Sequence, residues 1–208
     1  MAWDTAGTKQ RLLDAGARQF AAHGFAGARM DAIGADAEVN KERVYQYFGN
    51  KRGLFDAVLA DRLRGLLTAA GAPGNGPDGV GAYAGALFDH FAARPELARL
   101  LAWESLEFGE AAGAPDRADT CATQVQLLSR ALPGLSALGA AQLLLSLVSL
   151  CAGWWTLSHA TAMIAPDATT ADRRLELIAQ GRALALGAIA SADAAEASRS
   201  AAQNSAVR

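Results

Sequence analysis

The sequence predicts an all-α protein, on three observations. Alanine accounts for 50 of the 208 residues, whereas valine and isoleucine together number 11, so helix-forming residues far outnumber strand-forming ones. Apolar side chains recur every three to four residues along most of the chain, which is the period of helices packed on a core. At 51% hydrophobic and 19% charged residues, the chain is also too apolar to remain unfolded.

The first elements predict a helix-turn-helix. A helix over residues 8–23 ends at Gly24, which can adopt the left-handed conformation that terminates helices. Two short helices follow over residues 30–37 and 41–48, joined by a three-residue turn, and Asn40 is a good N-cap for the second. Gly49 ends that helix, and Asn50 can cap a fourth helix that reaches about residue 70.

The second short helix has the mixed surface of a DNA recognition helix. Val44 and Phe48 lie four residues apart and can anchor it inward. The polar and aromatic side chains at 41, 42, 43, 45, 46 and 47 are left to point outward, where such a helix enters the major groove.

The rest of the chain predicts a larger helical domain. After a loop over residues 71–79, helices are expected over 80–93, 95–110 with Pro95 at its first position, 120–132, 138–163 and 171–190. Beyond residue 191 the chain is rich in alanine and serine, which predicts a frayed tail. The expected division is therefore a DNA-binding domain at 1–53, a ligand-binding and dimerisation domain at 54–190, and a flexible tail at 191–208.

Charge is divided unevenly along the chain, whose formal net charge is −2. Residues 1–70 hold 10 Lys and Arg against 8 Asp and Glu, whereas residues 71–208 hold 9 against 13. The N-terminal third is thus the basic part, which favours a nucleic-acid partner there.

Other classes are disfavoured. Two cysteines without a C-x-x-C spacing argue against a disulfide scaffold or a cysteine-rich zinc site, and they fit a reducing cytoplasm. No secretory signal is expected, because charges are spread through the first twenty residues. His90, His159, Glu104 and Glu107 lack any metal-ligand spacing, so we expect no metal, no cofactor and no enzymatic activity.

One segment allows a membrane alternative. Residues 131–166 contain no charged side chain, and the stretch at 138–163 is long enough to span a bilayer. Gln142, Ser146 and His159 interrupt it, and no Lys/Arg cluster flanks it, so we expect a buried central helix and no membrane partner.

A specific resemblance rests on residues 9–59. The segments are Phe-Ala-Ala-His-Gly-Phe at 20–25, Met-Asp-Ala-Ile at 30–33, and Val-Asn-Lys-Glu-Arg-Val-Tyr-Gln-Tyr-Phe-Gly-Asn-Lys-Arg-Gly-Leu at 39–54. This region resembles the DNA-binding domain of the tetracycline-repressor (TetR) family of bacterial regulators. The resemblance implies a homodimeric transcriptional repressor that binds a near-palindromic DNA operator and is released from it by a small-molecule effector.

Three positions depart from the family pattern. Glu38 replaces a glycine in the turn, Gly34 replaces an alanine in the first short helix, and Ala28 replaces a hydroxyl residue that caps it. If the turn needs a positive φ, Glu38 costs about 1 kcal/mol, and Gly34 weakens its helix by a similar amount. These departures leave open an alternative, a ligand-binding or protein-interaction module that has lost DNA binding.

The expected DNA contacts lie around the recognition helix. Lys41, Arg43 and Gln46 are residue types that read guanine and adenine edges. Tyr45 and Lys51 are expected to bind phosphates, and Arg29 to supply the phosphate contact that Ala28 cannot. The full expected set is Arg29, Asn40, Lys41, Arg43, Tyr45, Gln46, Tyr47 and Lys51.

A pocket for a small apolar effector is expected between the uncharged helix and the two helices preceding it. Aromatic residues at helical spacing are more often core than pocket, but Trp155, His159 and Met163 share one predicted face, and a neutral histidine can hydrogen-bond a ligand. The expected lining is Phe88, Phe91, Leu100, Trp103, Glu104, Phe108, Cys151, Trp154, Trp155, His159 and Met163.

Overall fold

The computed structural model describes residues 5–111 and 114–206, and every regular element in those ranges is an α-helix. The all-α prediction is confirmed. The helices are α1 (Thr5–Gly27), α2 (Met30–Asp36), α3 (Lys41–Phe48), α4 (Lys51–Ala70), α5 (Gly76–Ala93), α6 (Glu96–Glu107), α7 (Ala114–Ala131), α8 (Ala137–Thr156), α9 (Ser158–Ile164) and α10 (Thr170–Ala206).

The chain divides into two compact units, and their boundaries differ from the expected ones. The head unit comprises Met1–Leu66 with Ala93–Asp119, and the body unit comprises Leu67–Ala92 with Thr120–Arg208. The head therefore contains most of α4 and all of α6, beyond the boundary expected at residue 53. The physical reason is burial, because Phe55 and Val58 of α4 and Leu100 of α6 share one apolar core with α1.

The head core is built from one face of each of its helices. Its fully buried side chains include Leu12 and Phe20 of α1, Ile33 of α2, Val44 of α3 and Phe55 of α4. Helices α1 and α4 approach closely at Gly16, where an added β-carbon would lie 2.9 Å from Val58 Cγ2. Any larger residue at that position would force α4 away from α1.

The break predicted at Gly24 is confirmed. This glycine has φ 68° and ψ 179°, a kink inside the helix α1, and the indole of Trp103 lies 3.3 Å from the place a β-carbon would occupy. After the kink, Phe25 turns back onto the head core, with its ring 5.6 Å from that of Phe55. A glycine is needed here for both its positive φ and the close approach of Trp103.

Two of the departures from the family pattern lie at the turn between α2 and α3. Glu38 has φ 56°, and it is the one non-glycine residue with positive φ in the part of the chain described. Gly34 was expected to weaken α2, but an added β-carbon would lie 2.7 Å from the Val39 carbonyl oxygen. Glycine at 34 therefore permits this close approach, whatever its cost to the helix. A bidentate ion pair between Arg18 and Asp36, with its closer oxygen at 3.0 Å, joins α1 to α2.

The body unit depends on close contact between α5 and α10. A β-carbon at Gly81 would lie 2.7 Å from the Ile178 carbonyl oxygen, and one at Gly181 would lie 2.8 Å from the Ala84 β-carbon. Small residues therefore allow these two helix backbones to approach. Exposed ion pairs at the same contact join Arg174 to Asp89 and Arg182 to Asp78.

Several helix boundaries after residue 70 differ from the expected ones; α5, for example, begins at Gly76 inside the expected loop, and α7 begins at Ala114 and not at residue 120. The uncharged helix expected over 138–163 is interrupted at Leu157, which separates α8 from α9. Pro95 is the N-cap of α6 and not its first residue. The tail expected to be frayed is helical through Ala206 as the end of α10, as its alanine content allows; residues 207–208 lie outside the part described.

By length and apolar composition, α8 and the Thr170–Ala194 part of α10 could each cross a membrane. A core helix of a soluble protein has the same composition. Helix α8 buries Leu143, Leu147 and Cys151 in the body unit and leaves Leu138 and Leu145 exposed.

We predict that Glu38→Gly stabilises the protein by about 0.5–1 kcal/mol. A side chain in the left-handed region costs about 1–2 kcal/mol, and the greater freedom of glycine in the unfolded chain offsets about 0.5–1 kcal/mol of that. Urea unfolding followed by circular dichroism measures the difference. Glu38→Ala removes the same carboxylate but keeps the β-carbon, so an equal gain in both variants would refute backbone strain as the cause.

Candidate nucleic-acid interface

Helix α3 presents a polar face to solvent because its opposite face is held in the head core. Val44 is fully buried there, and Phe48 packs partly buried against it. The exposed side chains of α3 are Lys41, Glu42, Tyr45 and Gln46. The side chain of Tyr45 is 40% exposed to solvent.

Two expected contacts on α3 are less exposed than the sequence indicated. Tyr47 was expected to point outward, but it is half-buried against the head core, with its ring 6.0 Å from that of Phe48. This corrects the outward placement, because Tyr47 lies three residues after the anchor Val44 and shares its face. Arg43 is also half-buried.

The two caps predicted around α3 are confirmed. The Asn40 side-chain oxygen accepts a hydrogen bond of 3.0 Å from the Arg43 backbone N–H, which caps α3. The Asn50 side-chain oxygen accepts one of 2.8 Å from the Gly53 backbone N–H at the start of α4. Asn40 therefore has a structural task that is independent of any DNA contact, and such a cap contributes about 1 kcal/mol.

Arg29 lies at the start of α2. It is the N-cap residue there, without a capping side-chain hydrogen bond, and its guanidinium pairs with the Asp31 carboxylate at 3.0 Å. Ala28, the expected cap position, is buried. The hydrogen bond from Arg29 lowers the pKa of Asp31, so this carboxylate stays ionised at neutral pH. Both side chains are solvent-accessible, so the pair can yield to a phosphate at little cost.

Lys51 lies at the N-terminus of α4, where the dipole and the unpaired N–H groups of a helix favour an anion. Its ammonium donates a 3.0 Å hydrogen bond to the Ala26 carbonyl oxygen and lies 4.9 Å from the centre of the Phe25 ring. An ammonium group carries three protons. Binding to Ala26 therefore leaves donors for a phosphate.

An aromatic cluster that was not predicted from the sequence lies beside Lys51. We define it as Phe20, Phe25, Phe55 and Phe108, whose rings contact one another at centroid distances of 4.8–6.2 Å. The Arg52 guanidinium covers the Phe108 ring at 3.9 Å and pairs with Asp56. Phe20, Phe25 and Phe55 lie within the motif, but nothing in the spacing of α6 indicates that Phe108 joins them.

Four residues of the expected effector pocket lie in the head unit. Leu100 is in the head core, Trp103 covers Gly24, and Phe108 is part of the aromatic cluster. Glu104 is buried and forms a bidentate ion pair with Arg117, including a 3.0 Å contact. The described partners of these four residues are in α1, α4 and α7 within the head, so their place in an effector pocket stays a prediction.

The body residues of that expected lining differ in burial and in their contacts. Phe88 and Phe91 are buried and their rings lie 4.8 and 5.9 Å from that of Trp155. Cys151 is buried and its thiol donates to the Ala84 carbonyl oxygen at 3.5 Å; burial raises its pKa to about 12, so it stays protonated. His159 and Met163 are exposed, because the break at Leu157 turns α9 away from the register of α8.

A cavity of about 600 Å³ lies elsewhere in the body unit, between α8, α9 and the start of α10. Of the expected residues, Trp154 lines it. Its walls include Leu150, Leu157 and Ile164, together with the charged residues Asp172, Arg173 and Glu176. Arg173 donates a 3.3 Å hydrogen bond to the Leu150 carbonyl oxygen. Among residues in the described ranges, no cluster of three or more His, Cys, Asp or Glu could hold a metal ion.

The head thus has the architecture of a helix-turn-helix DNA-binding domain, and comparison with known proteins places it in a family. Residues 12–58 match the family model described as bacterial regulatory proteins of the tetR family. Residues 79–182 match the model of the tetracyclin repressor-like C-terminal domain. The chain therefore belongs to the TetR family of bacterial regulators, whose members are transcriptional regulators and not enzymes.

Two curated relatives are named as transcriptional repressors. The transcriptional repressor SCO4008 of Streptomyces coelicolor is 44% identical over 108 residues, which cover 52% of this chain and 55% of that protein. The repressor NicS of Pseudomonas putida is 28% identical over 107 residues, 49% of this chain and 50% of that protein. The chain thus aligns with about half the length of these curated relatives.

A solved structure aligns over nearly its whole length. The candidate transcriptional regulator SCO4942 from Streptomyces coelicolor is 35% identical, with a TM-score of 0.66, over 85% of this chain and 97% of that one. The all-helical architecture, with a helix-turn-helix followed by a helical C-terminal domain, is therefore that of the family.

Proposed function

We propose that the protein is a homodimeric repressor that binds a near-palindromic operator and is released from it by a small apolar molecule. The observation that carries DNA binding is the exposed polar face of α3, flanked by the cations Arg29 and Lys51 at two helix N-termini. A helix held by one buried face and presenting Lys41, Tyr45 and Gln46 on the other fits the major groove. We propose that the protein acts in the cytoplasm.

The proposed contacts divide into positioning and reading. Lys51, Tyr45 and Arg29 would bind phosphates, which contribute affinity and salt dependence but no sequence information. Lys41, Arg43 and Gln46 would contact base edges. Asn40 and Tyr47 act first on the structure, as a cap and as a half-buried support, so their substitution would lower stability along with affinity.

We predict that Tyr45→Phe and Lys51→Ala weaken binding to every operator sequence alike, and that Lys51→Ala also lowers the salt slope. Each cation removed from a phosphate reduces the slope of log K against log salt by about 1, so the loss of one contact per protomer lowers the slope of the dimer by about 2. Arg43→Ala should in addition relax discrimination at its base pair by about 1–3 kcal/mol. Fluorescence anisotropy with labelled duplexes at several salt concentrations measures these effects, and Leu106→Ala, an exposed site on α6, is the control.

The wild-type measurement also tests the alternative that DNA binding has been lost. That alternative is motivated by Glu38 in its strained turn and by the missing hydroxyl at Ala28. Binding that is independent of sequence, or absent at low salt, would establish it and remove our proposal.

A second copy of the chain is the proposed partner of α8 and α10. Grooves between these helices run along the body unit and are lined by Leu138, Gln142 and Ser146 of α8 and by Leu184 and Ala188 of α10. The same two helices carry further exposed leucines at 145, 175 and 186, which leave apolar surface in contact with water. A face of this kind marks an interaction site, and the same face on a second copy can cover it with two-fold symmetry.

We predict that Leu184→Glu dissociates the dimer. A symmetric interface would receive the buried carboxylate twice, which raises the dimer Kd at least about 100-fold. Sedimentation velocity of the wild type and the variant measures this change, with Leu106→Glu in the head unit as the matched control. A monomeric wild type, or one that stays in solution only with detergent, would contradict the proposal, the latter in favour of a membrane.

The effector is proposed to bind the cavity beside Trp154. Its volume falls within the range of small-molecule sites, and its walls are mainly apolar with few polar groups, which suits a largely apolar ligand. The ligand would release DNA only by binding more tightly to a conformer whose two heads no longer match the operator spacing.

We predict that Gly153→Leu blocks this cavity. Gly153 lines it, and no heavy atom lies within 4 Å of its ideal β-carbon, so the backbone accepts a side chain that then fills the space. The probe is 8-anilinonaphthalene-1-sulfonate, whose fluorescence rises in apolar sites. Its Kd should rise about tenfold or more in the variant but stay within about twofold in Leu106→Ala. Equal probe binding by Gly153→Leu and the wild type would refute the site.

A further inference from the structure

The charged end of Lys51 is held by two groups from the segment that links α1 to α2. Its ammonium donates to the Ala26 carbonyl oxygen at 3.0 Å and lies 4.9 Å above the centre of the Phe25 ring. A free lysine side chain samples many rotamers. The direction in which Lys51 offers its remaining protons therefore depends on where the Phe25 ring lies.

The Phe25 ring is in turn held most closely by Phe108. Their centroids are 4.8 Å apart with an angle of 72° between the ring planes, which is an edge-to-face contact. The other rings that contact Phe25 are farther away, Phe55 at 5.6 Å and Phe20 at 6.2 Å.

Phe108 also holds the residue next to Lys51. The Arg52 guanidinium lies 3.9 Å from the centre of the Phe108 ring, at cation–π distance. Its Nε also donates to Asp56 at 2.8 Å one turn further along α4. The first turn of α4, which carries Lys51, is thus fixed through the same ring that supports Phe25.

The position of Phe108 is set by the end of α6. Phe108 is the C-cap residue, extended at φ −126° and ψ 140°, and its N–H donates to the Glu104 carbonyl oxygen at 3.1 Å. The side chain of Glu104 is fixed by its ion pair with Arg117 of α7. A displacement of the end of α6 would therefore move the Phe108 ring relative to both Phe25 and Arg52.

We infer that Phe108 is a positioning residue for DNA binding: by holding Phe25 and Arg52, it aims the Lys51 ammonium at a DNA phosphate. The inference rests on the proposed DNA-binding function. It assigns a role in DNA affinity to a residue at the end of α6, about 60 positions from the recognition helix, that itself touches no DNA.

The test is a double-mutant cycle on operator binding. Lys51→Gln removes the charge and keeps an N–H donor for Ala26, and it should weaken wild-type binding about tenfold. Phe108→Leu keeps an apolar side chain but removes the ring. In that background Lys51→Gln should weaken binding no more than about twofold, because the ammonium is no longer aimed. Phe108→Leu alone should lower the salt slope of the dimer by about 2, one phosphate per protomer, and Phe108→Tyr should restore it.

A matched control separates aiming from a general loss of packing. Phe20→Leu removes a ring from the same cluster but leaves the contacts of Phe108 with Phe25 and Arg52. It should lower the melting temperature while keeping both the wild-type salt slope and the full effect of Lys51→Gln. If Phe108→Leu does not fold, Phe108→Met, with a flexible apolar side chain, takes its place.

Two results would overturn the inference in distinguishable ways. If the wild type shows no sequence-dependent DNA binding, the proposed function fails and the inference fails with it. If the wild type binds but Lys51→Gln weakens the wild type and Phe108→Leu by the same factor, with equal salt slopes, DNA binding stands and Phe108 is a packing residue alone.

Discussion

The head unit depends on the packing of four phenylalanine rings against the buried faces of α1 and α4. Phe20 and Phe55 are completely buried, and Phe25 and Phe108 close the cluster from the ends of α1 and α6. Burying rings of this size is among the largest stabilising contributions available to a small helical unit. The recognition helix α3 contributes one fully buried side chain, Val44, so its placement relies on this neighbouring core.

The same aromatic cluster also positions charged side chains. Two cations at the start of α4 lie on its rings, Lys51 on Phe25 and Arg52 on Phe108. Positive charge is thereby fixed next to a helix N-terminus, where phosphate binding is already favoured. Residues 1–70 carry an excess of positive charge, and two of these cations lie at the start of α4. The net charge of −2 of the whole chain conceals this excess.

Local features of the fold could be predicted from the sequence, and long-range contacts could not. The bounds of α3 were correct to the residue, because local residues set them. Asn40 caps the start of α3, Gly49 ends it, and Asn50 caps the next helix. The helices that pack against Trp103 and Phe108 could not be predicted, because periodicity identifies the buried face of a helix but not the helix that covers it. The break at Leu157 carries no Gly or Pro signal, which is why α8 and α9 were expected to be one helix. At the candidate site, the exposed face of α3 was predicted correctly. The contacts that hold Lys51 were not, because they come from residues 25 or more positions away in the sequence.

We propose that two copies of the head bind DNA together, one in each of two successive major grooves. Selection of bound duplexes from a random pool by the purified full-length protein tests it most directly, because no operator has to be assumed. The account predicts enrichment of an inverted repeat whose half-sites are centred one or a small whole number of helical turns apart. Recovery of sequences without a common motif, or of an unrepeated half-site, would contradict it.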